Sequence, residues 1–518
     1  MMRDVRTLGG LLEARAAVVP DRPFVTFESG SVTFGEIDRA ANRVANALAG
    51  LGIQPGDRAA AMLSNRPEYL ATWFGMTKAG VIEVPLNTGL RGDLLAYMLA
   101  HSGAKLLVIE ERWVDRLEAI RAGLPQLEHV VVVGDGPLTL DQLLEAPDTP
   151  PGLEVSPYDP SVILFTSGTT GRSKGALLTH NANIRGAVNT CDLMGYAAGE
   201  TFFNAFPLFH INARYTTVVP ALVLDDARAV LHDRFTASGF WDIVRAEGIT
   251  AFNFMGALVM MLFKQPERPD DADNPARVAY GAPAPVAVLE PFEERFGVKL
   301  IEVFGSTELC ACVQNTVEER RIGSCGRAAP DCIVEIHDEH GRRVPPGVEG
   351  EFVVRPLETH IIVEEYWGDP AATAEAFRGI WFHTGDRGRQ DEDGWFTFVD
   401  RLKDAIRRRG ENISSWEVEQ VLNDNEAVEE TAVVGVPSEL TEEEVLAVVK
   451  LKPGYELTPE GLLDFAQDRL PHFAVPRYVR FVDELPKNHA QRIQKPVLRE
   501  QGIEDAWDRE DVGYVVRR

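Results

Sequence analysis

The chain has 518 residues, of which 45% are hydrophobic and 25% are charged, a composition typical of globular proteins. This length exceeds what a single hydrophobic core ordinarily supports, so we expect two or more domains. Lys and Arg number 52 against 79 Asp and Glu, which gives a net charge of -27. Because such an acidic chain repels phosphate backbones, the composition argues against a nucleic-acid partner.

The cysteines and the N-terminus indicate the compartment. There are five cysteines, an odd and sparse set without a CxxC pair, which is typical of reduced thiols in a cytoplasmic protein. The first 23 residues contain scattered charges and no continuous apolar core, and no later apolar run reaches the length of a membrane span. We therefore predict a cytoplasmic protein without a membrane span.

The first predicted elements alternate between helix and strand. Thr33-Phe34-Gly35-Glu36 is a capping box that opens a helix ending near Gly52. A strand (59–63), a helix (68–78) and a second buried strand (81–85) follow, and the alternation continues past Val162 and Asn253. This order predicts a large α/β domain over 1–400, with mixed, largely parallel sheets and flanking helices.

A smaller domain is predicted over 401–518. Its elements are a helix (415–422), two strands (431–436 and 445–451) and a helix opened by Thr458-Pro459-Glu460, where the cap and the first-turn proline have their preferred places. These elements predict a small, mobile α+β domain. We expect the last dozen residues to form a loose tail.

A loop rich in hydroxyls and glycine follows the apolar run 162–165. Its backbone N–H groups, its hydroxyls and Lys174 could bind phosphates, and a helix beginning near Ala176 would add its positive end. A flexible linker is the alternative, although a linker would not directly follow a buried strand. The candidate nucleotide ligands here are Thr166, Ser167, Gly168, Thr169, Thr170, Gly171 and Lys174.

The loop spacing differs from GxxxxGK[ST] and resembles TSGTTGxPKG, the phosphate-loop signature of the adenylate-forming superfamily of acyl-CoA synthetases, peptide-synthetase adenylation domains and luciferases. Ser173 stands where that signature usually has proline. The resemblance extends over roughly residues 5 to 500, because further motifs recur in the expected order. It implies the acyl-CoA ligase branch, with acyl-adenylate, ATP or AMP, coenzyme A and Mg²⁺ as ligands, and Lys174 as a catalytic residue.

Two motifs of this resemblance concern the nucleotide. Residues 304–308 resemble YGxTE, which implies that Thr307 meets the phosphate and that Glu308 is catalytic and binds magnesium through a hard oxygen. Residues 280–283 resemble the GGAP segment that packs along adenine. The expected adenine contacts are Gly281, Ala282 and Pro283.

Two later motifs concern the ribose and the hinge. Residues 381–386 resemble the TGD motif, which implies that Asp386 accepts from both ribose hydroxyls. Residues 400–404 resemble the DRxKD junction, which implies that Arg401 lies near ribose or phosphate and that Lys403 is the hinge. In isolation this charged run would be an ordinary solvated turn.

The resemblance also implies where the acid and the thiol bind. Residues 206–210 resemble PLFH, whose histidine, here His210, gates the acyl pocket, and the mainly apolar candidates nearby suggest a hydrophobic acid. These candidates are Ile211, Phe254, Met255, Gly256, Met260, Leu309 and Cys310. For coenzyme A we expect a basic cluster beside a glycine, since guanidinium groups suit phosphate oxygens; an exposed basic turn is the alternative. The cluster comprises Arg407, Arg408, Arg409 and Gly410.

One motif departs from the family. Where PKxxxGK[IV] is usual, the chain reads PKNHAQRIQK, so Arg492 replaces the catalytic lysine and Gln491 the preceding glycine. Losing a charge aimed at the transition state costs on the order of 3 kcal/mol, and arginine keeps the charge but not the shape. Lys495 could substitute after a register slip, or Arg492 could itself serve poorly.

We therefore predict an acyl-CoA ligase that converts acyl-adenylate and coenzyme A to acyl-CoA and AMP, with impaired adenylation and a separate enzyme as the source of acyl-adenylate. A complete ATP-dependent carboxylate–CoA ligase is the first alternative. A non-catalytic protein that binds acyl-AMP or acyl-CoA is the second. A peptide-synthetase module is disfavoured because no carrier domain follows, and a luciferase-like activity shares the same motifs.

Overall fold

The computed structural model describes residues 2, 4–166, 172–284, 286–401, 405–438, 442–487 and 493–517. Several predicted site residues lie outside them: Ser167, Gly168, Thr169, Thr170, Gly171, Lys403 and Arg492, together with the side chain of Arg401. Within the described residues the chain forms a large α/β portion followed by a small α+β portion, which confirms the predicted fold class. The boundary at 400/401 stays a prediction.

The first sheet has seven strands and contains the predicted alternation. The four strands between 58 and 133 pair in parallel, as does Glu83 with Val162, whereas Pro160–Thr166 and Lys174–Thr179 pair antiparallel. In spatial order the strands are Glu365–Tyr366, Lys174–Thr179, Pro160–Thr166, Ile82–Pro85, Arg58–Met62, Leu106–Glu110 and His129–Val133.

The hairpin in this sheet corrects one expectation. No helix begins near Ala176, because Ala176, Leu177 and Leu178 are buried in the strand Lys174–Thr179. The helix begins only at His180, where the Thr179 hydroxyl accepts from the Ala182 N–H. The apolar run pairs with the preceding strand instead, so the helix expected directly after the loop is replaced by a strand among the described residues.

The second sheet has nine strands and is largely parallel. Its spatial order is Arg327–Ala328, Cys310–Gln314, Lys299–Ser306, Val278–Gly281, Ala251–Phe254, Thr201–Asn204, Arg228–Leu231, Pro23–Phe27 and Gly30–Thr33. A third, antiparallel sheet contains Cys332–His337, Gly350–Pro356, Trp381–Gln390, Phe377–Arg378 and Phe396–Arg401.

Helices flank these sheets. The predicted capping box is present: the Thr33 hydroxyl accepts from the Glu36 N–H, and the Glu36 carboxylate accepts from the Thr33 N–H. The α-helices of the large portion are Leu8–Val18, Phe34–Gly50, Pro67–Lys78, Gly92–Ser102, Val114–Glu118, Leu140–Leu143, His180–Leu193, Ile211–Ala213, Val219–Val223, Phe240–Glu247, Gly256–Phe263, Val286–Phe296 and Pro370–Ala376. Short 3₁₀ turns span Glu111–Trp113 and Arg121–Gly123, and a π-helical turn spans Arg214–Val218.

The small portion has its own core. A hairpin (Ala405–Arg408 and Glu411–Ser414) precedes a four-stranded sheet of Val428–Pro437, Glu443–Leu451, Tyr478–Phe481 and Trp507–Asp508. Its helices are Ser415–Asn423, Pro459–Gln467 and Lys495–Gln501. The expected loose tail is wrong, because Trp507–Asp508 joins the sheet edge and the Tyr514 hydroxyl donates to Asp464 over 2.7 Å.

Among the residues that the structure describes, no helix has the length and apolarity needed to cross a membrane.

Candidate active site

A cavity of about 460 Å³ lies where the sheets of the large portion meet the loop 407–412 of the small portion. It brings together residues that are far apart in the chain and that the motifs had singled out separately. The predicted site residues in its wall are Thr166, Lys174, His210, Phe254, Met255, Gly281, Ala282, Thr307, Glu308, Asp386, Arg407, Arg409 and Gly410. The motifs are therefore parts of one site. Pro283 is not in the wall.

At one end of the cavity Lys174 and Glu308 share an aromatic neighbour that sequence reasoning missed. The Tyr366 hydroxyl donates to Glu308 Oε1 over 2.9 Å, and Lys174 Nζ lies 4.9 Å from the centre of the Tyr366 ring. Burial, and then the Glu308 carboxylate, raise the pKa of Tyr366, so its hydroxyl remains a donor. Tyr366 thus contacts both charged groups that the motifs assign to phosphate and magnesium binding. Nothing in the run Glu364-Glu365-Tyr366-Trp367 indicated this.

The predicted magnesium site has one carboxylate. Among the described residues, no group of three or more His, Cys, Asp or Glu side chains could hold a metal ion. Magnesium commonly takes one or two carboxylates and completes its shell with phosphate oxygens and water. Glu308 at the phosphate end fits that pattern, and magnesium use stays a prediction.

The segment expected to bind ribose is held by a carboxylate that was not predicted. Glu351 accepts from the Gly385 N–H over 3.0 Å and lies 2.8 Å from His383 Nδ1. The Asp386 N–H donates to the Thr384 hydroxyl, also over 3.0 Å. Since these contacts precede Asp386 directly, they orient the predicted ribose ligand, which is 8% exposed.

A second carboxyl lies behind the predicted adenine segment. Glu302 accepts from the Ala284 N–H over 3.2 Å, and burial raises the pKa of Glu302 to about 7. No motif indicated Glu302, since it sits inside the mainly apolar strand Lys299–Ser306. Its hydrogen bond anchors the loop that carries Gly281 and Ala282 in the cavity wall.

The structure places some of the predicted acyl-pocket residues in the cavity wall and others outside it. Of the candidates, His210, Ile211, Phe254, Met255 and Cys310 line the cavity, whereas Gly256, Met260 and Leu309 do not. Gly256 begins a helix that packs away from the cavity, and Leu309 is buried with its carbonyl accepting from Arg185 over 2.9 Å. The expected apolar wall also contains polar groups: Thr190, Asn212, Tyr215 and Thr216.

The small portion contacts this end through one carboxylate. Glu411 Oε2 lies 3.3 Å from His210 Nε2 and accepts from Asn87 Nδ2 over 3.1 Å. Burial opposes the charge of Glu411, but His210 and the two hydrogen bonds outweigh it and hold the pKa of Glu411 below its usual value. His210 therefore joins the acyl wall to the loop that carries Gly410.

The basic cluster is only partly available to a ligand. Arg408 is 4% exposed, pairs with Glu444 over 2.5 Å and donates to the Phe473 carbonyl over 2.7 Å. The prediction that Arg408 binds coenzyme A is therefore contradicted, because alternation along the strand Ala405–Arg408 turns this side chain into the small portion. Arg407 and Arg409 do line the cavity.

A smaller cavity of about 140 Å³ opens beside Gly410, between the two portions of the chain. It shares Thr166, His210, Thr307 and Gly410 with the larger cavity. Its other walls are mainly apolar and come from both portions, including Leu90, Leu94, Met98, Phe165, Phe209 and Phe473. The shared residues place it directly beside the larger cavity.

Ser173 and Lys495 make contacts that bear on the orientation of the small portion. The Ser173 N–H and hydroxyl both donate to Glu417 Oε1 over 2.7 Å, across 244 residues of sequence. Lys495 Nζ lies 2.7 Å from Glu419 Oε1 and donates to the Ser415 hydroxyl over 2.8 Å. Ser173 therefore binds the two portions together, whereas Lys495 is held within the small one.

Comparisons with known proteins show the family to which the chain belongs. The family described as AMP-binding enzyme matches residues 12–367, and the family described as AMP-binding enzyme C-terminal domain matches 417–492. A crotonobetaine/carnitine–CoA ligase of Salmonella typhimurium is 32% identical over 506 residues, covering 93% of this chain and 97% of that protein.

Two solved structures are similar over almost their full length. An amide bond synthetase from Marinactinospora thermotolerans has a TM-score of 0.85 at 27% identity, covering 95% of this chain and 99% of that one. An o-succinylbenzoate CoA synthetase from Bacillus subtilis, a double mutant bound to a product analogue, has a TM-score of 0.83 at 26% identity, covering 96% and 99%.

Proposed function

Since the chain belongs to the AMP-binding enzyme family, we propose that it is an acid–thiol ligase whose main reaction is thioester formation from an acyl-adenylate and coenzyme A, with adenylation impaired. The observation that carries this proposal is the position of Gly410. Its loop closes the cavity that also contains Lys174, Thr307 and Asp386. The resemblance assigns that loop to the thioester-forming orientation of the small domain.

The reaction needs a thiol to reach an acyl carbonyl carbon. The sulfur–carbon bond forms as the bond from that carbon to the AMP phosphate oxygen breaks, and the thiol proton is released. Thr307 and Lys174 would bind the departing phosphate, and Asp386 the ribose. The smaller apolar cavity beside Gly410 suits the uncharged arm of coenzyme A, while Arg407 and Arg409 at the cavity rim suit its phosphates.

Ser173 supports the same orientation. Proline, usual at this position in the family, has neither an N–H nor a hydroxyl and could make neither hydrogen bond to Glu417. Glu417 is 8% exposed, and burial raises its pKa although both Ser173 donors oppose that rise. Hydrogen bonds to a charged group contribute about 1.5–3 kcal/mol each. The serine therefore stabilises the orientation in which Gly410 faces the cavity.

No comparable contact among the described residues supports the orientation of the small domain that adenylation requires. Arg492 lies outside the described residues, and its role rests on the sequence alone. Lys495, the other candidate for the missing lysine, is paired with Glu419, and both side chains are mostly buried at 15% and 12% exposure. For Lys495 to reach a substrate by a register slip, that ion pair must break. Both departures from the family pattern thus favour the thioester half-reaction.

A two-arm assay tests the proposal. Purified protein receives either synthetic acyl-adenylates with coenzyme A, or the free acids with Mg-ATP and coenzyme A, and acyl-CoA is followed by mass spectrometry. We expect product in the first arm and little in the second. Equal rates in both arms would identify a complete ligase. Binding of acyl-AMP without product in either arm would identify a binding protein instead.

Restoring the lysine should increase the rate only in the second arm of the assay, which contains the free acids, Mg-ATP and coenzyme A. We expect Arg492→Lys to raise the ATP-dependent rate by about tenfold, less than the full value of the contact because Gln491 still replaces glycine. The acyl-adenylate arm should not change. Arg517→Lys is the matched control, since Arg517 is an exposed arginine of the same domain at 64%. An Arg492→Lys enzyme with an unchanged ATP arm would contradict the impairment.

Replacing Ser173 with the family's usual residue should release the small domain. We expect Ser173→Pro to lower the acyl-adenylate rate by about tenfold, because two hydrogen bonds to Glu417 are lost. Ser173→Ala keeps the N–H donor, so its acyl-adenylate rate should lie between those of the parent enzyme and Ser173→Pro. Since proline is normal at this position in relatives, misfolding is not expected, and circular dichroism checks it. If Ser173→Pro matched the parent rate, the hydrogen bonds between Ser173 and Glu417 would have no role in turnover.

A further inference from the structure

Five polar side chains form a connected network at the acyl end of the cavity. They are Asn204, Asn212, Thr216, Thr217 and Asn253. Two of them, Asn212 and Thr216, line the cavity, and the other three lie behind them. Asn212 follows Ile211 and Asn253 precedes Phe254 in the chain, and both of these predicted acyl-pocket residues line the cavity. The network therefore bears on the acid rather than on the nucleotide.

The backbone fixes which way these amides point. The Phe206 N–H donates to Asn204 Oδ1 over 2.7 Å. Because a backbone N–H can only donate, the other end of that side chain must be its nitrogen. Asn204 Nδ2 then donates to Asn212 Oδ1 over 2.9 Å and to the Thr217 hydroxyl over 2.8 Å.

Asn212 is consequently oriented as well. Its Oδ1 accepts from Asn204 Nδ2 and also from Asn253 Nδ2, the latter over 2.7 Å. Two donors occupy the two lone pairs of that oxygen. Asn212 itself lines the cavity. Its Nδ2 makes no hydrogen bond among the described residues and is the end of the amide that is left for a ligand. It carries two N–H groups.

From this arrangement we propose that the enzyme selects acids whose acyl group bears a neutral oxygen acceptor, such as a carbonyl, ether or hydroxyl, remote from the carboxyl group, and that Asn212 recognises that oxygen. The proposal rests on the proposed function, since it names the acid handled at the same site. An unpaired amide donor facing an alkyl group leaves a polar group buried without a partner, which is unfavourable.

The charges nearby favour a neutral group. The cavity residues on this wall, including Thr190, Tyr215 and Thr216, carry no charge. Arg214, directly behind them, is fully buried and paired with Glu83, which is equally buried. Apart from His210, which is paired with Glu411, the described residues of this wall offer no cation to an anionic acyl group, and a cationic group would face the amide donor. Either charge would be buried without a partner.

Binding of stable acyl-adenylate analogues tests this without requiring turnover. Five acyl-sulfamoyl adenosines are titrated calorimetrically. Their acyl groups derive from hexanoic, 5-oxohexanoic, 5-hydroxyhexanoic and adipic acids and from a trimethylammonium acid of equal length. We expect the oxo and hydroxy analogues to bind about tenfold more tightly than the alkyl one. Equal affinities of the oxo and alkyl analogues, or no binding of any analogue, would overturn the proposal.

Two variants assign the effect to the Asn212 donor. Asn212→Asp keeps the oxygen that accepts from Asn204 and Asn253 but replaces the donor, so the preference for the oxo analogue should disappear while the trimethylammonium analogue gains. Asn212→Leu should favour the alkyl analogue. Thermal unfolding checks that each variant folds. An oxo preference retained by folded Asn212→Asp would contradict the assignment. If the parent enzyme bound the oxo and hydroxy analogues preferentially but formed no acyl-CoA in the two-arm assay, only the proposed function would be contradicted.

Discussion

Replacing Gly410 with alanine is expected to slow thioester formation by about two orders of magnitude. Gly410 has a φ of +90°, a conformation that L side chains rarely adopt. An added Cβ would also lie 1.9 Å from Met255 Cε and 3.0 Å from Met255 Sδ. The loop or Met255 must therefore move, and both belong to the cavity in which the thiol meets the acyl group. Single-turnover kinetics with acyl-adenylate and coenzyme A measures the effect.

Two further variants separate the contact from backbone strain. Gly454, also in the small portion, has a φ of +84° but nothing within 4 Å of an added Cβ. Gly454→Ala thus introduces similar strain without the clash and should leave the rate nearly unchanged. Met255→Ala combined with Gly410→Ala should recover part of the loss, because space is restored. If Gly454→Ala were as slow as Gly410→Ala, the contact with Met255 would not be the cause.

Replacing Arg214 with methionine is expected to lower the free energy of unfolding by about 3–5 kcal/mol. Arg214 and Glu83 are both 0% exposed, and Arg214 Nη1 donates to Glu83 Oε2 over 2.6 Å. Arg214 Nη2 also donates to the Tyr69 hydroxyl over 3.0 Å. Removing the guanidinium leaves the Glu83 carboxylate buried without its counterion. Denaturant unfolding followed by tryptophan fluorescence measures the change, since Trp73 lies 4.3 Å from the guanidinium.

The control for this prediction is an exposed pair. Arg43 and Asp148 are 3.3 Å apart with 41% and 43% of their side chains exposed, so Arg43→Met should cost at most about 1 kcal/mol. Adding Glu83→Gln to Arg214→Met should recover stability, because the buried charge is removed. A loss for Arg214→Met no greater than for Arg43→Met would show that the buried pair contributes little. Since Tyr215 and Thr216 follow Arg214 directly, the acyl wall depends on this pair.

Local signals explain which elements could be predicted. The capping box of Thr33 and Glu36 joins residues three apart, so the helix Phe34–Gly50 follows from neighbouring residues alone. The apolar run 176–178 was ambiguous for the opposite reason: both a helix and a strand can bury it, and only pairing with Pro160–Thr166 makes it a strand. The tail was likewise underestimated because Trp507 and Asp508 pair with strand residues 28 and 30 positions earlier in the chain.

The candidate site divides in the same way. Motif spacing was enough to propose the nucleotide residues, and the structure brings Lys174, Thr307, Glu308 and Asp386 to one cavity. Tyr366, Glu351 and Asn212 were missed because each acts through a partner distant in the chain. Arg408 was wrongly assigned because adjacent residues of one strand point to opposite faces, which a basic run does not reveal.

The sequence by itself determined the family resemblance, the presence of the phosphate-loop motif and the two departures from the usual motifs, Ser173 and Arg492, because these are properties of residue identity and short spacing. Only the tertiary structure decided what Ser173 does. Its N–H and hydroxyl reach Glu417 across 244 residues of chain, and the Asn212 amide oxygen accepts from Asn253, which is 41 residues away in sequence. Hydrogen bonds act over about 3 Å in space, whatever the distance along the chain.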